Sequence, residues 1–446
     1  MRISSRVAAW LCIGALGVGA QARAGDEGGE RASMATENLE EPWSDGVTSE
    51  SFTLGNVERR QVFENVFEYS YRVRVGLGSY DVITLHRVVR EAGPWSPMRT
   101  AKSVFLVHGD ALGFRGAFLS SAASQAVSPG QSMAVFLAQQ GVDVWGIDLR
   151  WVHVPSGTTD FSFMKDWNLG LHARDVGTGL ALARGVRTLT GNGAGRMVLL
   201  GWSRGAAVAY AYLNAETQLP QAKRHVSGFI PVDMAYSFAP TATKERQAAC
   251  QTHAEFVERQ ALGQYEGGQL GLLLKGLGSL AIDKPTAPSD FLTGATNREV
   301  GLLFGAATYF FQKPVVIIDD YHWAGGAFSE AGLPTGLAWT NERFFFDTLT
   351  QTSPYQSIGE QVDTLAMWCG APNVPYDDHL GQVKVPVLYV GAAGGTGGHG
   401  VHSLSLLGST DVSTHLVPGY GHADLFLADG AKAAVWARIL DWVQHH

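Results

Sequence analysis

Charge is thin in this sequence. Only 17% of its 446 residues are Asp, Glu, Lys or Arg, and no lysine- or arginine-rich run occurs. The formal net charge is −8. A chain without a basic patch has little with which to hold phosphates, so nucleic acid is not expected as a partner. Cysteine is scarcer still, at three residues. No C-x-x-C or H-E-x-x-H spacing is present, so no metal site and no cofactor are expected. Past residue 24 no apolar run is long enough to span a bilayer. Glycine, by contrast, is abundant at 54 residues, and 46% of the chain is hydrophobic. That composition favours tight turns and a sizeable core, in one large domain or two small ones.

Residues 1–24 read as a secretory signal peptide. Arg2 and Arg6 precede the apolar stretch Val7 to Ala20, and Ala22-Arg23-Ala24 fits a small-x-small cleavage site. Residues 25–48 hold seven acids and one arginine and little to bury, which reads as a disordered acidic leader. The mature chain is therefore expected to be exported, periplasmic or secreted, with no integral span. Cys250 and Cys369 would remain. In an oxidising compartment such a pair is expected to bond, closing a loop of roughly 120 residues; two buried free thiols are the alternative.

Tyr69 to Glu91, broken at Gly76-Leu77-Gly78, reads as a β-hairpin. Strand and helix then alternate. The strand runs are "SVFLVHGD" (103–110), "GVDVWGIDLRW" (141–151), "RMVLL" (196–200), "VSGFIPVDM" (226–234), "VKVPVLYVG" (383–391) and "STHLVPGYGH" (413–422). Helical spacing occupies 132–140, 168–189 and 431–443. Continuously apolar strands that alternate with helices predict an α/β fold, a mostly parallel, doubly wound sheet covered on both faces. Residues 235–382 break this rhythm. They read as a largely helical cap inserted between core segments 49–234 and 383–446; an independent domain is the alternative.

Gly201-Trp202-Ser203-Arg204-Gly205 follows an apolar strand and opens a helix, the G-x-S-x-G pattern of a nucleophile on a sharp strand-to-helix turn. Glycines two positions either side let strand and helix approach. Of fourteen histidines, His422 sits on a Gly-rich loop directly after the last strand, where it can act as base to Ser203. His108 reads as ordering the loop after its strand. His399 and His402 are weaker candidates for the base.

With "VFLVHG", "VLLGWSRG", "KVPVLYVG" and "VPGYGHADLF" in that order, the chain resembles the α/β-hydrolase superfamily, of the capped serine esterase/lipase kind. The resemblance runs from Tyr69 to the C-terminus and excludes the cap. It implies an oxyanion hole from the backbone N–H of Arg204 and that of Asp110 or Ala111. It also implies a triad acid, usually in the loop after "VPVLYVG". Here that loop, "AAGGTGGHGVHS", has no carboxylate. Asp411 opens the last strand, and Asp424 reads as starting the next helix. Variants of the family carry the acid one strand earlier, which points to Asp233; Asp319 or Asp320 remain open. Asp148 and Arg150 read as ordering a loop.

The function expected is an exported serine hydrolase cleaving small-molecule carboxylic esters through Ser203, His422 and Asp233. The cap aromatics Tyr309, Phe310, Phe311, Tyr321, Trp323, Trp339, Phe344, Phe345, Phe346 and Trp368 fill its core, and some should line an apolar pocket for a bulky substrate. An acyltransferase, an amidase or peptidase with the same triad, and a non-catalytic binding protein are the alternatives.

Overall fold

A computed structural model describes residues 54–310, 318–330 and 332–446. The expected signal peptide, the acidic leader and Phe311 lie outside the described residues. The first strand, β1 (Leu54–Phe63), was not expected. Its sequence, LGNVERRQVF, is charged and has no clean apolar alternation, because it forms the sheet's edge and rests on one neighbour only. The expected hairpin follows as β2 (Val66–Arg74) and β3 (Val82–Gly93), paired antiparallel from Val66↔Arg90 to Arg74↔Val82.

The remaining main strands are β4 (Lys102–Val107), β5 (Val142–Asp148), β6 (Met197–Trp202), β7 (Val226–Val232), β8 (Val387–Ala392) and β9 (Val412–Val417). They lie in the spatial order β1-β2-β3-β5-β4-β6-β7-β8-β9. These six run parallel to one another, and the antiparallel strands β1 to β3 join them where β3 meets β5. Their carboxyl ends therefore share one edge, where ligands bind in open parallel sheets.

Successive residues of a strand face opposite ways, and the core divides accordingly. Val104, Leu106, Leu200 and Ile230 pack under α1 (Met133–Gln139) and the C-terminal helix. Phe105, Val107, Leu199 and Phe229 pack under α2 (Leu169–Leu189) and α3 (Arg204–Glu216). In α2 the buried face is Leu169, Ala173, Val176, Leu180 and Ala183, a three- and four-residue spacing. Asn168 caps this helix by accepting from Leu171 N–H at 2.8 Å.

Between β7 and β8 the chain makes α4 (Thr243–Ala261), α5 (Leu270–Asp283), α6 (Asn297–Ala306), α7 (Glu342–Thr350) and α8 (Ile358–Cys369). A small hairpin pairs Gly326–Phe328 with Pro334–Leu337. Phe344, Phe346 and Leu349 of α7 join the same apolar cluster as Leu112 and Phe118 beside the sheet. The insert thus shares its core with the sheet's own layer. Cys250 and Cys369 form a disulfide that ties α4 to the end of α8. After β8 come the short α9 (His399–Leu404) and, following β9, the terminal α10 (Ala437–His445). Among the described residues no helix is long and apolar enough to cross a membrane.

Candidate active site

Ser203 stands between β6 and α3 with φ 56° and ψ −134°. This is a region that residues with a side chain rarely occupy, held here at a conformational cost. The surroundings enforce it. Ser203 N–H donates to Val232 O at 2.9 Å, and Ser203 O accepts from Ala206 N–H at 2.8 Å. A Cβ on Gly201 would lie 2.5 Å from Ala206 Cα, and one on Gly205 2.3 Å from Val107 O. Strand, turn and helix approach too closely for any other residue at either position. Ser203 Oγ has no hydrogen-bond partner among the described residues.

His422 and Asp233 do meet. His422 Nδ1 lies 2.6 Å from Asp233 Oδ2, with both residues buried. Asp233 follows β7 with φ 47°. Its carboxylate also accepts from Ala392 N–H (2.9 Å), Thr396 N–H (3.0 Å) and Gly397 N–H (3.1 Å). These donors belong to the end of β8 and the Gly-rich loop after it, the loop without an acid of its own. A Cβ on Gly395 would lie 2.0 Å from Asp233 Oδ2. The glycines let this loop close on the carboxylate of the preceding strand. A carboxylate so placed accepts the Nδ1 proton and leaves Nε2 as the free basic nitrogen.

Aromatic rings pack around the imidazole. Trp202, next to Ser203, stacks on it at 5.2 Å between centroids, and Phe426 packs on Trp202 at 4.8 Å. Tyr321 and Trp323 of the insert approach to 5.7 and 6.4 Å. The same insert segment pairs with the histidine loop through its backbone: His422 N–H donates to His322 O (2.9 Å) and Ala423 N–H to Trp323 O (2.7 Å).

The loop after β4 passes over the serine, since a Cβ on Gly109 would lie 2.6 Å from Ser203 Cβ. The backbone N–H groups of Asp110, Ala111 and Arg204 carry no hydrogen bond among the described residues. The Asp110 side chain turns to Arg204, whose Nε donates to Oδ1 at 2.6 Å. His108 accepts from Leu149 N–H at Nε2 (3.1 Å) and reaches Gly109 O through Nδ1 (3.0 Å). Burial holds its pKa below the ordinary histidine value, as befits a neutral brace between β4 and β5.

Asp148 and Arg150 both order loops, but separately. Asp148 accepts from Phe114 N–H (2.6 Å) and His86 Nε2 (3.0 Å). Arg150 pairs with Asp175 (2.7 Å) and Asp81 (2.5 Å). His86 bridges Asp148 and Glu68, the latter at 2.8 Å. Burial opposes charge on His86, but the two carboxylates outweigh it and push its pKa up to about 9.

Of the other candidates, Asp319 is exposed and paired with Lys244, and Asp320 is exposed. Asp411 precedes β9 at the sheet edge. His399 packs edge-on against Phe238, and neither it nor His402 shares a hydrogen bond with Asp233. Asp424 begins a short helix, as the sequence suggests, and also accepts from Gly421 N–H and Gly325 N–H (both 2.7 Å) and Thr340 Oγ1 (2.5 Å). Burial raises its pKa. It joins the histidine loop to the insert, a role with no signal in the sequence. Sequence reasoning also missed Glu360 and His172, buried partners of each other. Among the aromatics of the insert, Phe344, Phe345 and Phe346 are core, while Trp339 is half exposed and holds Gly419 O at 2.7 Å. Among the described residues no group of three or more His, Cys, Asp or Glu is placed to hold a metal.

No protein-family model matches the chain, and no curated protein sequence matches it. Solved structures do. A putative lipase from Sulfolobus solfataricus superposes with a TM-score of 0.61 at 18% identity, covering 89% of this chain and 99% of that one. A soluble variant of monoglyceride lipase from Saccharomyces cerevisiae gives 0.41 at 13% identity, covering 91% and 99%. An esterase from Thermogutta terrifontis gives 0.38 at 15% identity, covering 84% and 98%. The first of these, with the strand order and the strained turn, places the chain in the α/β-hydrolase fold.

Proposed function

We propose, for a chain with the α/β-hydrolase fold, that it is an exported serine hydrolase of carboxylic esters. The observation that carries this reading is a strained Ser203 next to Trp202, whose ring stacks on an imidazole held at Nδ1 by a buried carboxylate. Ser203 Oγ attacks the ester carbonyl while His422 Nε2 takes its proton. Asp233 fixes the imidazole and stabilises the imidazolium that forms. The backbone N–H groups of Arg204 and of Asp110 or Ala111 receive the developing oxyanion; one such donor contributes about 2.7–4 kcal/mol to the transition state. His422 returns its proton to the leaving alkoxide. It then activates the water that hydrolyses the acyl-enzyme.

Residues 235–382 act as the cap, and Tyr321 and Trp323 give the base an apolar surround suited to a bulky, hydrophobic acyl or alcohol group. The leader-like residues 1–24 and the Cys250–Cys369 bridge support export, since disulfides persist in oxidising compartments. A fluorophosphonate probe should label the wild type, and Ser203→Ala should lose both labelling and hydrolysis of p-nitrophenyl butyrate. Equal labelling of the two proteins would end the proposal.

A further inference from the structure

Four side chains that the proposed triad does not use form a connected polar row. Asp110 Oδ1 accepts from Arg204 Nε at 2.6 Å, Glu360 Oε1 lies 4.0 Å from the same Nε, and Glu360 Oε2 is hydrogen bonded to His172 Nδ1. Each comes from a different element: the loop after β4, the start of α3, α8 of the insert, and α2. Arg204 and Glu360 are largely buried, whereas Asp110 is partly exposed. Two carboxylates hold the guanidinium pKa above its ordinary value against the opposing effect of burial.

Local rules are broken to build it. Ser357-Ile358-Gly359-Glu360 has the S-x-x-E spacing of a capping box, in which serine and glutamate would satisfy each other's backbone N–H groups at a helix start. Here neither does. Ser357 Oγ is buried without a partner, and the Glu360 carboxylate turns inward to Arg204 and His172. Arg204 Nη1 and His172 Nε2 are also buried without partners among the described residues. Departures of this kind gather where function, rather than stability, has selected the arrangement.

The placement gives the reason. Arg204 carries one backbone N–H proposed for the oxyanion, Asp110 or its neighbour Ala111 carries the other, and the side chains of Arg204 and Asp110 grip each other. We propose that the Asp110–Arg204 ion pair, anchored from the insert by Glu360, is a positioning clamp that sets the spacing of the oxyanion donors and turns the Asp110 carboxylate away from the charge that develops there. Planarity matters as much as charge. Arg204 Nε alone donates to Asp110 and lies 4.0 Å from Glu360, a placement set by the planar guanidinium that the flexible, compact ammonium of a lysine does not reproduce. The inference rests on Ser203 being the nucleophile.

The test uses the full chain, with active sites counted by fluorophosphonate titration and kcat and KM measured on p-nitrophenyl butyrate per titrated site. Removing one oxyanion donor outright lowers kcat by about 10²–10³-fold, so misaligning a pair should lower it by about tenfold or more. Asp110→Asn and Arg204→Lys should each show this fall in kcat per site with KM little changed. Glu360→Gln should do likewise, and Asp110→Asn combined with Glu360→Gln should be no worse than the poorer single variant. A purely structural role would lower the number of titratable sites and leave kcat per site untouched. Asp110 is partly exposed, so its variant should fold even if Glu360→Gln does not, and Asp110→Asn with wild-type kcat per site overturns the clamp. If instead the wild type is not labelled at Ser203, it is the nucleophile assignment that fails.

Discussion

The sheet and the insert hold the site by different means. On the sheet side, main-chain geometry does the holding. Ser203 is fixed by a strained turn between close-packed backbones, and Asp233 by three N–H groups of one chain segment. On the insert side, side chains reach in: Glu360 toward Arg204, and Tyr321 and Trp323 toward the imidazole. Backbone-held groups tolerate almost no change in the residues that frame them. Side-chain-held groups tune a site that the sheet has already defined.

The sharpest way to break this contrast is to attack a backbone-held acid. Asp233→Asn would place an amide N–H₂ against backbone donors and offer His422 the wrong partner. It should lower kcat by about 10⁴-fold, the effect of the same change in other Ser-His-Asp triads. Asp319→Asn, at an exposed ion pair, should leave kcat unchanged in the same assay. An Asp233→Asn variant with near-wild-type turnover would dismiss the sheet-side account.

The next effect belongs to the insert. Cys250→Ser, or reduction, frees a loop spanning 119 residues, a constraint worth about 5 kcal/mol in the chain-entropy picture. Denaturant unfolding should show that loss of stability. Wild-type stability after complete reduction would mean the bridge constrains nothing.

A smaller effect probes the antiparallel side of the sheet. His86 titrates at about 9 when folded and near 6.5 when unfolded. Its raised folded pKa means the stabilisation is complete below about pH 6.5 and is lost as pH rises through 9. Each tenfold difference in proton affinity is worth about 1.4 kcal/mol, so the loss should approach about 3 kcal/mol. His86→Gln should flatten the dependence across this alkaline window. An unchanged slope in that variant would detach His86 from the transition.

Much of this was legible in the sequence, for physical reasons. The sharp turn at Ser203 shows because sterics leave glycine alone at Gly201 and Gly205. The parallel strands show because burial on both faces leaves no polar alternation. Asp233 could be reached through an absence, the missing acid in the loop after β8, but nothing in the letters said that this loop would supply its N–H groups to Asp233. β1 escaped notice because an edge strand need not be apolar. Glu360 escaped because Ser357 to Glu360 reads as an ordinary helix start, and its true partners, Arg204 and His172, lie far away in the chain. Asp424 looked like a helix-start residue and is one; that it also ties Gly325 and Thr340 to the histidine loop depends on contacts the sequence does not order.

The hydrogen bonds from His422 N–H to His322 O and from Ala423 N–H to Trp323 O carry a consequence for anyone wishing to shrink or exchange the insert. The histidine loop and the insert are sewn together along one seam. Grafting a foreign roof onto this scaffold without the 321–325 stitch would unmoor the imidazole before any substrate arrived.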